Sequence, residues 1–206
     1  MKRFVLASNN PGKLKEMAAI LEHMNIEVVM PSYLGLNVEV EETGETFAEN
    51  AMLKARAVCE AANMPAIADD SGLCVNALGG GPGVYTARYG GEDLTEQQRY
   101  MLLLSSLRGQ TDRAAHFTSA IACVFPNGDS IVAEGRCDGN IAFAPMGTDG
   151  FGYDPVFLVP ELRRTFAQMT MSEKAAVSHR GKALAAFAEK LRTYLEQNGG
   201  TNGFNK

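Results

Sequence analysis

Apolar positions along the chain fall into short runs and helical stripes that alternate from one end to the other. Phe4 to Ala7 is a four-residue apolar run, long enough for a buried strand. The polar stretch Ser8-Asn9-Asn10-Pro11-Gly12-Lys13 follows, and then Leu14, Met17, Ala18, Leu21 and Met24 keep the spacing of one helix face. Glu27 to Met30 reads as a second strand, and Val38 to Glu42 alternates until Thr43-Gly44 turns the chain. Thr46 with Glu49 three residues on is a capping box, and the helix it opens ends before Asn63-Met64-Pro65. Ala66 to Ala68 is a strand-like approach that ends in Asp69-Asp70-Ser71-Gly72, after which apolar residues resume at Leu73. Thr95 and Gln98 cap another helix through Leu102, Leu103 and Leu107. The segments 115–124 and 130–135, joined by Phe125-Pro126-Asn127-Gly128-Asp129, form a hairpin pattern. A final amphipathic helix carries Leu184, Phe187, Leu191, Tyr194 and Leu195 on one stripe. A globular domain over 1–197 and a flexible tail over 198–206 are the expected organisation.

Composition narrows the class. The 206 residues are 46% hydrophobic and 21% charged, ordinary for a globular chain. A net charge of −5 argues against a broad basic face for nucleic acid. An anionic small molecule stays allowed, because a few local cations govern contacts shorter than the Debye length of about 10 Å. Cys59, Cys74, Cys123 and Cys137 are scattered with no paired spacing, so they read as buried free thiols of a reducing compartment. Polar Ser8 cuts short the basic, apolar N-terminus before it could act as a signal peptide, and no apolar run approaches membrane-spanning length. The expectation is a cytoplasmic protein with no membrane and no nucleic-acid partner.

Candidate chemistry concentrates at Asp69-Asp70. Strand alternation sends the two carboxylates to opposite faces, and a carboxylate beside a core must be compensated. One then meets a structural partner and the other enters a cleft, where a divalent metal would offset it; the same residues also read as a polar turn between two strands. The loop 8–13 places a glycine and a lysine at a helix N-terminus, an arrangement suited to phosphate, although Asn-Pro-Gly equally makes a plain turn and the glycine-x4-glycine-lysine spacing is absent. The glycine-rich stretch 78–91 reads as a phosphate cradle or a lid. Phe151 and Tyr153, separated by Gly152, suit a slot for a base or an aromatic corner. Lys174, His179, Arg180 and Lys182 are the densest cationic cluster, and cations near a helix start favour an anion nearby.

Five stretches in one order carry a resemblance: Ser8 to Lys13; Glu42-Thr43-Gly44 with Phe47 to Ala51; Ala68 to Leu73; Gly150 to Pro155; and Ser178-His179-Arg180. Over residues 3–196 the sequence resembles the inosine triphosphate pyrophosphatase family, which hydrolyses non-standard purine nucleoside triphosphates such as ITP, dITP and XTP. The resemblance implies an elongated α/β fold with a mixed twisted sheet flanked by helices, two lobes around a central cleft, and a homodimer. It implies Mg2+ at Glu42 and Asp70, with Glu41 the adjacent alternative. It further implies Asp70 as the catalytic base on water and substrate contacts from Ser8, Asn9, Asn10, Pro11, Gly12, Lys13 and Ser71. Phe151, Gly152, Tyr153 and Asp154 would line the base slot, with Lys174, His179 and Arg180 on base or phosphate. The substrate would be a purine nucleoside triphosphate, released as monophosphate and pyrophosphate.

Overall fold

A computed structural model describes residues 2–198. The tail expected over 198–206 lies outside them, apart from Asn198 at the end of the last helix. Seven strands form one mixed sheet in the order β2-β1-β3-β4-β5-β6-β7: β1 (Lys2–Leu6), β2 (Ile26–Val29), β3 (Ala66–Val75), β4 (Ala114–Val124), β5 (Ser130–Ile141), β6 (Phe157–Val159) and β7 (Arg164–Thr165). β1 pairs in parallel with β2 and β3, whereas β6 pairs antiparallel with β5 and β7. Among the described residues five α-helices accompany them: α1 (Pro11–Leu21), α2 (Phe47–Ala62), α3 (Glu96–Ser106), α4 (Met171–Val177) and α5 (His179–Asn198). None of the described helices is long and apolar enough to cross a membrane.

The chain divides into two compact units. Among the described residues the first comprises 2–70, 120–134 and 183–198. Its core joins Phe4 and Leu6 of β1, Met17 and Leu21 of α1, and Ile67 of β3 to the α5 stripe. Leu184, Phe187 and Leu191 of that stripe are buried, as the periodicity predicted. Phe187 is fully enclosed, so truncation to alanine would cost about 3–5 kcal/mol. The second unit comprises residues 71–119 and 135–182. Leu73 and Val75 of β3, Leu103 and Leu107 at α3, and an aromatic group of Phe117, Phe157 and Phe166 fill it.

Both predicted capping boxes are present: Thr46 with Glu49 opens α2, and Thr95 with Gln98 opens α3. The 115–124 and 130–135 segments are β4 and β5, closed by Phe125 N–H donating to Asp129 O at 2.9 Å.

Two expectations change, and the structure details a third stretch. Asp69-Asp70 is neither a strand end nor a turn: β3 continues through both residues to Val75, with the unit boundary after Asp70. The alternation at 38–42 forms no strand. The glycine-rich 78–91 stretch is tethered, with 3-10 turns at Asn76–Leu78 and Gly83–Arg88. There the buried Thr86 accepts the Leu73 N–H at 2.8 Å, and Arg99 donates to Ala87 O and, at 3.0 Å, to Gly91 O and Leu94 O.

Candidate active site

In the first unit, β1 ends at Leu6 and delivers the chain to α1 through Ser8, Asn9 and Asn10. Asn10 is the N-cap: its Oδ1 accepts from Gly12 N–H at 2.8 Å and from Lys13 N–H at 3.4 Å, while Ser8 Oγ accepts from Asn10 N–H. Pro11 occupies the first helical position, where its missing N–H costs nothing. The helix therefore starts two residues before Lys13, which stands on its first turn. Lys13 Nζ lies 2.9 Å from Asp69 Oδ1. Asp69 is buried, so this is the structural partner that strand alternation called for.

Asp70 faces other groups. Its Oδ1 lies 3.1 Å from Lys54 Nζ, and the same ammonium is 2.8 Å from Glu42 Oε1. Asp70 Oδ2 is buried with no hydrogen-bond partner among the described residues. Burial pushes the Asp70 carboxyl above its ordinary pKa; Lys54 pulls the other way without prevailing, and Glu42 adds to the rise. Burial also works against the Lys54 charge, but Asp70 and Glu42 outweigh it and hold its pKa above the usual lysine value.

Glu42 owes its place to the turn behind it. Gly44 N–H donates to Asn50 Oδ1 at 2.8 Å, and a Cβ on Gly44 would meet both that oxygen and Glu49 Cβ at 2.7 Å. Only glycine lets the chain press against the first turn of α2. Glu41, one residue earlier, is exposed.

Ser71, the next residue of β3, begins the second unit. In that unit the loop 147–155 is held from within. Asp154 is buried and its Oδ2 accepts the Phe151 N–H at 2.9 Å and an ion pair from Lys174. A Cβ on Gly150, whose φ is +80°, would fall 2.0 Å from that oxygen. Glu96 Oε2 accepts the Gly152 N–H at 2.9 Å, and Tyr153 OH donates to Thr86 O at 3.0 Å. The Phe151 ring is 55% exposed, with Lys174 Nζ 4.6 Å and the Arg180 guanidinium 5.8 Å from its centroid. The loop thus presents a half-exposed aromatic ring with two cations over it.

His179 is placed differently from its neighbours. It is buried and stacks on Phe117 at 4.6 Å and 12°, so its ring is part of the aromatic core. Lys174 stands in the last turn of α4, where a cation complements the helix dipole; the expected conflict with a helix start applies to Arg180 and Lys182 in the first turn of α5.

The structure groups Lys13 with Asp69, Glu42 with Asp70, and Phe151 with Asp154, Lys174 and Arg180. Sequence reasoning missed Lys54, which sits in mid-helix where a lysine ordinarily faces water, and Glu96, whose place in the first turn of α3 hides its reach to Gly152. No group of three or more His, Cys, Asp or Glu side chains suited to a metal occurs among the described residues.

A model of the Ham1 family matches residues 4–190. The dITP/XTP pyrophosphatase of Erwinia tasmaniensis is 46% identical over 93% of this chain and 95% of its own length. That of a Nostoc species is 48% identical over 94% of this chain and 96% of its own. The solved Ham1 protein of Staphylococcus aureus superposes with a TM-score of 0.89 at 42% identity, over 94% of this chain and 100% of that one.

Proposed function

The chain belongs to the Ham1 family, and from that premise we propose that it hydrolyses non-standard purine nucleoside triphosphates such as ITP, dITP and XTP to the monophosphate and pyrophosphate. The observation that carries this reading is the convergence of Glu42 and Asp70 on one cation, Lys54 Nζ.

That arrangement fits a divalent ion. Two hard carboxylates already surround a positive charge, and the buried Asp70 Oδ2 has lone pairs to offer. Magnesium takes one or two carboxylates and completes its shell with water and phosphate oxygens, so a site short of three protein ligands suits Mg2+. Glu42 and Asp70 would hold it; Glu41, exposed, would not. When bound, the ion polarises the phosphate and lowers the pKa of water.

The chain's own groups supply the rest. Asp70 Oδ2 takes the proton of the attacking water, and the burial that raises its proton affinity brings it nearer to a working base. Lys13, at the start of α1 with Ser8, Asn9, Asn10, Pro11 and Gly12 around it, supplies charge to the phosphates. Since Asn10 Oδ1 already uses the Gly12 and Lys13 N–H groups, the Lys13 side chain contributes more than the backbone. Ser71 follows as a further substrate contact.

In the second unit, the half-exposed Phe151 ring accepts a purine by stacking, worth about 1–3 kcal/mol. Gly152, Tyr153 and Asp154 fix the loop, and Lys174 and Arg180 offer donors. A 6-oxo group accepts from such donors whereas a 6-amino group opposes them, a mismatch worth up to about 10⁴-fold. His179 serves by packing beneath. The functional domain is residues 1–197, since the family match spans segments of both units. A homodimer and a cytoplasmic location belong to the same reading; the four free cysteines suit a reducing compartment.

Ion-exchange analysis of products from ITP with Mg2+, alongside ATP and GTP, tests the reaction. IMP with pyrophosphate and little turnover of the others is expected; IDP with orthophosphate would place the cleavage at the γ-phosphate and overturn it. Asp70→Asn should collapse turnover by at least about 10³-fold while nucleotide binding survives.

A further inference from the structure

Lys54 sits where the proposed metal should go. Its ammonium is 2.8 Å from Glu42 Oε1 and 3.1 Å from Asp70 Oδ1, so it uses one oxygen of each carboxylate. All three residues belong to the first unit and are partly buried, with the Lys54 ammonium at the end of a long stem rising from the middle of α2. The side chain of Lys54 is 15% exposed and that of Asp70 14%, so water cannot readily dissolve the pair. The backbone two residues after Glu42 is pinned to α2 by the Gly44–Asn50 bond.

We propose that Lys54 is an internal placeholder for the divalent cation: it neutralises Glu42 and Asp70 in the free protein, keeps a metal ion from binding there alone, and yields the carboxylates only when nucleotide arrives. This deepens the reading above and rests on its metal site. Two carboxylates left bare at this separation would repel each other and bind any divalent ion that passed. With an ammonium between them they are preformed yet closed, because a doubly charged ion and a lysine cannot share the same oxygens without strong repulsion. A triphosphate changes the balance by bringing four negative charges at once, enough to satisfy both a displaced ammonium and an incoming metal. The metal then loads with the nucleotide, and the free enzyme is spared tight occupation by ions that prefer bare carboxylates, such as manganese.

The test is calorimetric titration of the purified, nucleotide-free protein with Mn2+ and, separately, Mg2+, at a pH of about 8. Wild type should bind each weakly. Lys54→Met, which keeps the apolar stem and removes the charge, should tighten Mn2+ by about tenfold or more; Lys54→Gln, which keeps a polar tip, should do the same and guards against misfolding of the first variant, with circular dichroism confirming both folds. Equal affinity in wild type and both variants would overturn the placeholder while leaving the hydrolytic reading to stand on its product analysis. A Glu42→Gln/Lys54→Met double variant that keeps the tightened affinity would overturn it too, because the gained site would then lie elsewhere. If a non-hydrolysable ITP analogue fails to bring Mn2+ into wild type, detected by the broadening of the manganese paramagnetic signal, the metal site itself fails, and with it both proposals.

Discussion

Removing the charge of Lys13 separates its part in the fold from the phosphate contact proposed for it. Lys13 Nζ lies 2.9 Å from the Oδ1 of Asp69, whose side chain is 5% exposed. At an effective dielectric constant of about 20 that separation is worth about 6 kcal/mol of attraction. Lys13 is 24% exposed, so solvent screens part of it, and breaking a buried pair from one side costs about 3–5 kcal/mol. We therefore expect Lys13→Met to destabilise by about 3 kcal/mol, a large share of the roughly 5–15 kcal/mol of a typical domain. Asp69→Asn should cost less, about 1–2 kcal/mol, since the freed ammonium can reach water whereas the freed carboxylate cannot. The double variant Lys13→Met/Asp69→Asn should then be more stable than Lys13→Met alone. Urea unfolding followed by circular dichroism reads this as a loss of about 1–2 M in midpoint for Lys13→Met, partly recovered in the double variant. Kinetics on the same samples should show the KM for ITP raised in both, because recovery of the fold does not return the phosphate contact. A Lys13→Met midpoint within about 0.3 M of wild type, or a double variant no better than the single, would refute the argument that this pair compensates a buried charge.

Gly44→Ala should cut turnover by at least about tenfold with a smaller loss of stability, since the added methyl drives the chain off α2 and displaces Glu42 from Lys54; unchanged kcat would refute it. Arg99→Met should cost about 3 kcal/mol by stripping three carbonyls of one buried guanidinium, and limited proteolysis should then cut first between residues 87 and 94. Glu173 has its carboxyl lowered to about 2 by the bond from Arg164 and the Thr170 capping contacts, against an ordinary 4.5. A depressed carboxyl stabilises above its unfolded pKa and loses that contribution as pH falls, so the thermal midpoint of wild type should exceed that of Glu173→Gln near neutrality and converge with it between about pH 4.5 and 2.

Local signals were legible wherever the cause was local. Thr46 with Glu49 and Thr95 with Gln98 need only their own backbone to cap a helix, and the α5 stripe needs only one apolar neighbour. Strand alternation at Asp69 and Asp70 also survived, because β3 is paired on both sides and its pleat is fixed. The misreadings share a different origin. Ser71 and Gly72 look like a turn, yet pairing with its neighbours carries β3 through them. Val38 to Glu42 alternates like a strand but finds no partner there, and its last residue is instead governed by the Gly44 turn. Lys54 was invisible because nothing in Leu53-Lys54-Ala55 says that a helical lysine points at carboxylates contributed from residues 42 and 70. Asp154 meets both the Phe151 N–H and Lys174 through one buried oxygen, a convergence that no local pattern at 150–155 announces.

The way the chain is shared between the two units has a consequence for its synthesis. Every residue assigned to substrate or metal lies at or before position 180, but the unit that holds Glu42, Lys54 and Asp70 closes its core with Leu184, Phe187 and Leu191 of α5. A nascent chain that has already emitted all of its chemical groups still lacks the wall against which the first strand packs. The first unit is thus expected to fold only once the last helix leaves the ribosome, and a premature stop shortly after codon 182 would spare every residue proposed for the site yet leave them without a folded frame.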